Sequence, residues 1–288
     1  MKTFRDAIRH NDFVVTTELP LEPRTSASDI REATATLSAV TDAMHVSDNR
    51  YGEGHMSPLA AASIIISNGL DAVVELSCRD RNRLALQADI LGAGALGVTS
   101  LVLARGEKLQ DKTAIRAKGV FEIGATQLIR MAREAGSVED LEFCIGAPVT
   151  IFDPAEGWEA TRIRDKLDSG VRFLQTQPCL NADLVRRYVD KLVERKIMHR
   201  ASLVIEVPLL TSPQEAVELR DVHKGAPIPD ALVKRIASAD DSVAEGISVC
   251  AEVLAELKEA PGISGVCIRF QCDPRHVVAA IREAHLAD

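Results

Sequence analysis

Along the chain, short runs rich in aliphatic and β-branched residues alternate with longer stretches whose apolar positions recur every three to four residues. The short runs are "FVVTTEL" (13–19), "AMHVSD" (43–48), "DAVVELSC" (71–78), "SLVLARG" (100–106), "EFCIGAPV" (142–149), "VRFLQTQ" (171–177), "SLVIEVPLL" (202–210) and "GVCIRFQ" (265–271). Their starts lie 30, 28, 29, 42, 29, 31 and 63 residues apart. A strand, a helix and two short connections fill about 30 residues, so the spacing predicts eight βα units.

Helical periodicity marks segments such as 29–41, 57–67, 82–96, 181–196 and 242–260. Ser57-Pro58 and Asn82 supply helix-start chemistry, and Gly69, Gly97, Gly170 and Gly265 stand where a helix would end in a left-handed residue before the next strand. The pattern predicts an α/β fold, a (β/α)8 TIM barrel spanning 1–288 as a single catalytic domain. "FRDAIRH" reads as a lead-in helix and "PRHVVAAIREAHL" as a closing one. The two long spacings put extra chain at 108–119, read as a loop on the active face, and at 225–260, where "IPDALVKRIAS" reads as an extra helical segment between strands seven and eight, near the mouth. An open doubly wound sheet is disfavoured, because "TELPLEP" after the first strand has no phosphate-binding glycine fingerprint.

Composition narrows the partners. A net charge of -8 and only 3% aromatic residues argue against nucleic acid. The six cysteines show no CxxC spacing and read as reduced thiols of a cytoplasmic protein. Cys267, Cys272 and His276 lack metal-ligand spacing, so no metal is expected. The most apolar stretch, 88–104, contains Asp89 and three glycines and falls short of a membrane span, and the charged start lacks the apolar core of a secretory leader. Small-molecule chemistry is the expectation.

In a barrel of this kind the chemistry sits at the carboxyl ends of the strands. Those ends present Glu18, then Ser47 and Asp48, Glu75 and Ser77, Arg105-Gly106-Glu107, Gln175 and Gln177, and Gln271. Alternation puts Gln175 and Gln177 on one strand face with Phe173. Two buried amides without partners would cost about 1–3 kcal/mol each, so a polar partner is expected to meet them. In "RDRNR", Asp80 and Asn82 are suited to capping the next helix with the arginines facing water, or the arginines to attracting an anion; His45 and His55 read as structural or substrate-edge groups.

Five motifs go further: "TTELPLEP", "SDNRYGEGHMSPLAAA", "ELSCRDRNRLALQADILGAGALG", "GVRFLQTQPC" and "APGISGVCIRF". In order and spacing, the chain resembles the methylenetetrahydrofolate reductases of the short, single-barrel bacterial type. The resemblance implies one-carbon metabolism serving methionine biosynthesis, with hydride passing from NADH or NADPH through FAD to 5,10-methylenetetrahydrofolate. Glu18 matches the acidic residue that assists opening at N10, and Glu107, where the family usually has aspartate, the group that stabilises the resulting cation. Gln177 matches the pterin-binding glutamine, with Gln175 in support and Gln271 as a further substrate contact. Ser47, Glu75, Arg105, Gly106 and Lys166 fall on flavin positions, Glu75 replacing a histidine of the long-form enzymes. Direct transfer from nicotinamide to folate without flavin stays open, as do a folate-dependent methyltransferase barrel and a non-catalytic folate-binding subunit. Self-association into a homo-oligomer is expected of such a barrel.

Overall fold

The structure, a computed structural model, describes residues 3–10, 12–49, 52, 54–109, 117–139, 141–223 and 225–287. Eight parallel strands close into a barrel in which each pairs with its sequence neighbours and the last returns to the first. They are β1 (Val14–Glu18), β2 (Ala43–Val46), β3 (Asp71–Ser77), β4 (Ser100–Ala104), β5 (Cys144–Val149), β6 (Phe173–Thr176), β7 (Ser202–Pro208) and β8 (Gly265–Arg269). The fold is the (β/α)8 barrel that the spacing predicts.

Helix α1 (Phe4–His10) precedes the barrel. α2 (Ala27–Leu37), α3 (Pro58–Ser67), α4 (Arg83–Ala95), α5 (Ala125–Glu139), α6 (Thr161–Ser169) and α7 (Ala182–Glu194) follow the first six strands in turn. Ser57 and Asn82 cap α3 and α4 as expected, their side-chain oxygens accepting from the Ala60 and Ala85 N–H groups. The long interval after β7 holds α8 (Pro213–Val222), α9 (Asp230–Ser238) and α10 (Ser242–Lys258), and α11 (Pro274–Glu283) closes the chain. The extra helix expected there is α9. α8 adds another, one residue longer than α9, that the periodicity reading does not mark.

One glycine expectation fails. Gly265 is not a helix terminator but an inward-facing residue of β8, where a Cβ would stand 2.3 Å from the Val14 carbonyl oxygen; the left-handed turn lies earlier, at Gly262 (φ +87°). At the amino end of the barrel, inward positions are apolar: Val14, Ala43, Val73, Val102, Cys144, Phe173, Val204 and Cys267 pack with Phe4, Ala7 and Ile8 of α1. The Phe4 and Phe173 rings meet edge-on, 4.9 Å apart. The Phe4 N–H donates to the buried Asp71 carboxylate at 2.7 Å, which ties α1 across this end. The barrel interior is thus filled at its base and opens toward the carboxyl end.

Burial holds the Asp71 carboxyl above its ordinary 3.8. The native state therefore binds this proton more tightly than the unfolded chain, and the group's contribution to stability is highest below pH 3.8 and declines as pH rises through the folded value. Asp71→Asn is expected to remove that decline in denaturant titrations across the acid range. Asp71→Ala, which leaves the Phe4 N–H without its acceptor, is expected to lose about 1–3 kcal/mol.

Candidate active site

Toward the carboxyl ends the inward positions turn polar. β1 contributes Glu18, β2 His45, β3 Glu75 and Ser77, β6 Gln175, β7 Glu206 and β8 Arg269. The last two interrupt otherwise apolar runs, which buries charge and so requires pairing.

Glu18, Glu206 and Arg269 form one buried group. The Arg269 guanidinium lies 3.2 Å from a Glu206 oxygen and 3.7 Å from Glu18 Oε2, while Ser47 Oγ donates to Glu18 Oε1 at 2.9 Å. His223 Nε2 is 3.5 Å from the same guanidinium nitrogen. One guanidinium is thus shared between two carboxylates. Ser47 thus supports a carboxylate, and its oxygen can still accept from a ligand.

A second group centres on His45, which is 2% exposed. Gln175 Nε2 lies 2.8 Å from His45 Nδ1. With the amide assigned as donor, the imidazole proton sits on Nε2, which faces Glu75 Oε2 at 3.6 Å.

The loops after β2 and β3 are locked together. Asp48 accepts from the Ser77 N–H at 2.8 Å and from Arg81 at 2.6 Å, and burial raises its carboxyl pKa against the pull of that guanidinium. Arg81 also pairs with Asp89, and Arg79 pairs with Asp80 and donates to the Asn49 carbonyl. Arg79 and Arg81 therefore do not face water as expected; they clamp the rim. Gly106, at φ +79°, passes so close that a Cβ there would stand 2.8 Å from Arg79 Cβ.

A cavity of about 580 Å³ opens at this rim, within the usual range for small-molecule sites. Among the residues singled out from sequence, it brings together Glu75, Arg105, Gly106, Glu107, Lys166, Gln175 and Gln177. Glu18 and Ser47 do not line it but connect to it through Arg269 and the lining residue Glu206. Lys166 donates to the Pro148 carbonyl, and burial with nearby Arg162 lowers its pKa below the ordinary 10.5. The Arg105 guanidinium lies 4.8 Å over the Phe121 ring.

Both glutamines find partners within the protein. Gln177 Oε1 accepts from the Ile151 N–H at 2.8 Å and its Nε2 donates to the Ile151 carbonyl at 3.0 Å, which orients the amide at the cavity wall and leaves it one further donor and one further acceptor. Gln271 lies apart: β8 ends at Arg269, and Gln271 is exposed in a separate groove beside Glu215 and Glu218. Sequence reasoning passed over Glu206 and Arg269, although a charge inside "VIEVP" and "VCIRF" was the available signal. Among the described residues, no three His, Cys, Asp or Glu side chains converge as metal ligands, and no helix is long and apolar enough to cross a membrane.

A family model described as methylenetetrahydrofolate reductase matches residues 3–268. The chain belongs to that family. A Clostridium thermocellum protein that binds two copies of 5-methyl-5,6,7,8-tetrahydrofolic acid matches the structure with a TM-score of 0.69 at 12% identity, covering 97% of each chain. Oxaloacetate acetylhydrolase in complex with oxalate matches at 0.57 and 14% identity, over 98% of this chain and 84% of that one. A 2,3-dimethylmalate lyase of the PEP mutase/isocitrate lyase superfamily matches at 0.54 and 15%, over 98% and 83%. At such identities the shared property is the barrel. Comparison with curated protein sequences gives no match.

In this member of the reductase family, Arg269 falls just beyond the matched residues while its side chain joins the buried carboxylates. Arg269→Met leaves Glu18 and Glu206 without their shared counter-charge and is expected to destabilise the fold by about 3–5 kcal/mol in chemical denaturation. Adding Glu206→Gln to that variant is expected to recover part of the loss.

Proposed function

We propose that the chain reduces 5,10-methylenetetrahydrofolate to 5-methyltetrahydrofolate with a hydride from NADH or NADPH. Family membership supplies the reaction class, and the observation that carries the reading is Glu18, buried at the end of β1 and held by Ser47 and Arg269. The reaction opens the bond between the methylene carbon and N10. N10 takes a proton, the one-carbon unit becomes an iminium at N5, and the hydride then adds to its carbon. Glu18 in its acid form is the group assigned to give N10 its proton, and the carboxylate it leaves, with Glu107 at the rim, favours that cation. The folate bound by the Clostridium thermocellum neighbour supports a folate ligand at this fold.

FAD, which the family resemblance implies, would carry the hydride between nicotinamide and folate when bound. Arg105, Arg162 and Lys166 on one flank of the cavity suit its diphosphate, and suit that of a nicotinamide dinucleotide equally well. Glu75 suits its ring poorly. A flavin presents N3–H between two carbonyl oxygens, and a carboxylate facing that edge meets two acceptors for one donor. FAD thus fits the cationic flank provided its N3 edge is turned away from Glu75, and the reading adopted is hydride transfer from nicotinamide to folate, through FAD or directly.

The purified protein is expected to oxidise NADH or NADPH only when methylenetetrahydrofolate is present, with 5-methyltetrahydrofolate as product. Glu18→Gln is expected to lower kcat about 10²–10⁴-fold while binding of 5-methyltetrahydrofolate persists. Absence of folate-dependent oxidation by the wild type with both nucleotides, with or without added FAD, would overturn the assignment.

A further inference from the structure

We propose that Glu75 is the specificity-determining residue of the rim cavity, accepting the 2-amino and N3–H groups of a pterin through its two carboxylate oxygens. This rests on the folate reading above and assigns the recognition to a residue that the family resemblance places on a flavin position.

Five carboxylates line the cavity. Asp48 is taken by Arg81 and the Ser77 N–H, and Glu206 by Arg269. Glu107 and Asp165 are exposed at the outer edge. Glu75 points inward from β3, its side chain is 20% exposed, and its contact among the described residues is His45 Nε2 at 3.6 Å. The two amides that line the cavity each hold a partner in the protein, Gln177 the Ile151 backbone and Gln175 His45, and neither offers the paired acceptor oxygens of a carboxylate. Glu75 is thus the half-buried acceptor that the inner wall offers to a ligand.

Its chemistry selects among flat heterocycles. The 2-amino and N3–H groups of a pterin are adjacent, coplanar donors, the same fork that a guanidinium presents, and a carboxylate meets both at once. A flavin edge cannot make that pair. His45 stands beside it: with Gln175 donating to its Nδ1, its Nε2 faces Glu75 Oε2 at 3.6 Å, beyond hydrogen-bond reach and open to be tightened by a ligand.

The test compares tetrahydrofolate with 2-desamino-tetrahydrofolate by titration calorimetry. Wild-type protein is expected to bind the desamino compound about 10–100-fold more weakly, the loss of a hydrogen bond to a charged group. Glu75→Gln, isosteric but with one acceptor replaced by a donor, is expected to bind tetrahydrofolate more weakly by a similar factor and to discriminate little between the two. Equal wild-type affinity for both compounds overturns the role of Glu75 while leaving the folate reading in place, and needs no variant to fold. Failure of the wild type to bind tetrahydrofolate at all overturns the folate reading itself, and this inference with it.

Discussion

Parallel pairing of β1 with β8 closes the sheet, and closure sends alternate side chains of every strand into one shared interior. The rest follows from how that interior is filled. At the amino end it is dry: Phe4, Phe173 and aliphatic side chains occupy it, and Gly146 is a glycine because a Cβ there would stand 2.2 Å from the Phe173 ring. Under α1 a polar residue must find its partner inside the protein, as Asp71 does in the Phe4 N–H, whereas toward the carboxyl end loops and ligands can satisfy such residues.

The charges buried there are arranged in shared groups rather than isolated pairs. Arg269 lies between Glu18 and Glu206, and Asp48 gathers Arg81 and the Ser77 N–H. Buried ion pairs of this kind seldom add net stability over apolar packing, because desolvation consumes most of the attraction. Their placement around a cavity therefore points to orientation and field at a working site. Glu75, Glu107, Asp165 and Glu206 share the lining of that cavity with Arg105, Arg162 and Lys166, so it presents acidic and basic groups together.

The paired glutamines illustrate what local reasoning can reach. Alternation along β6 places Gln175 and Gln177 on one face, and burial demands partners for both. Which partners is a long-range question: the answers are His45, 130 residues away in sequence, and the Ile151 backbone, 26 residues away. The arginines after β3 carry the same lesson. Their sequence suits a solvated turn as well as a clamp, and only the approach of Asp48 from the neighbouring loop makes them a clamp.

The sequence by itself determined the architecture. A period near thirty residues, strand-like runs and helix-start chemistry are local properties, and local periodicity suffices to count and order βα units. It also marked Glu18, Glu75, Glu107 and Gln177 as strand-end residues, because alternation and the run boundaries can be read directly. Tertiary structure decided the groupings: that Ser47 serves Glu18, that Arg269 joins two carboxylates, that Gln271 falls into another groove and that the Ile151 backbone orients Gln177. Those outcomes depend on barrel closure and on distances of a few ångströms between strands remote in the chain, and no pattern along one strand encodes them.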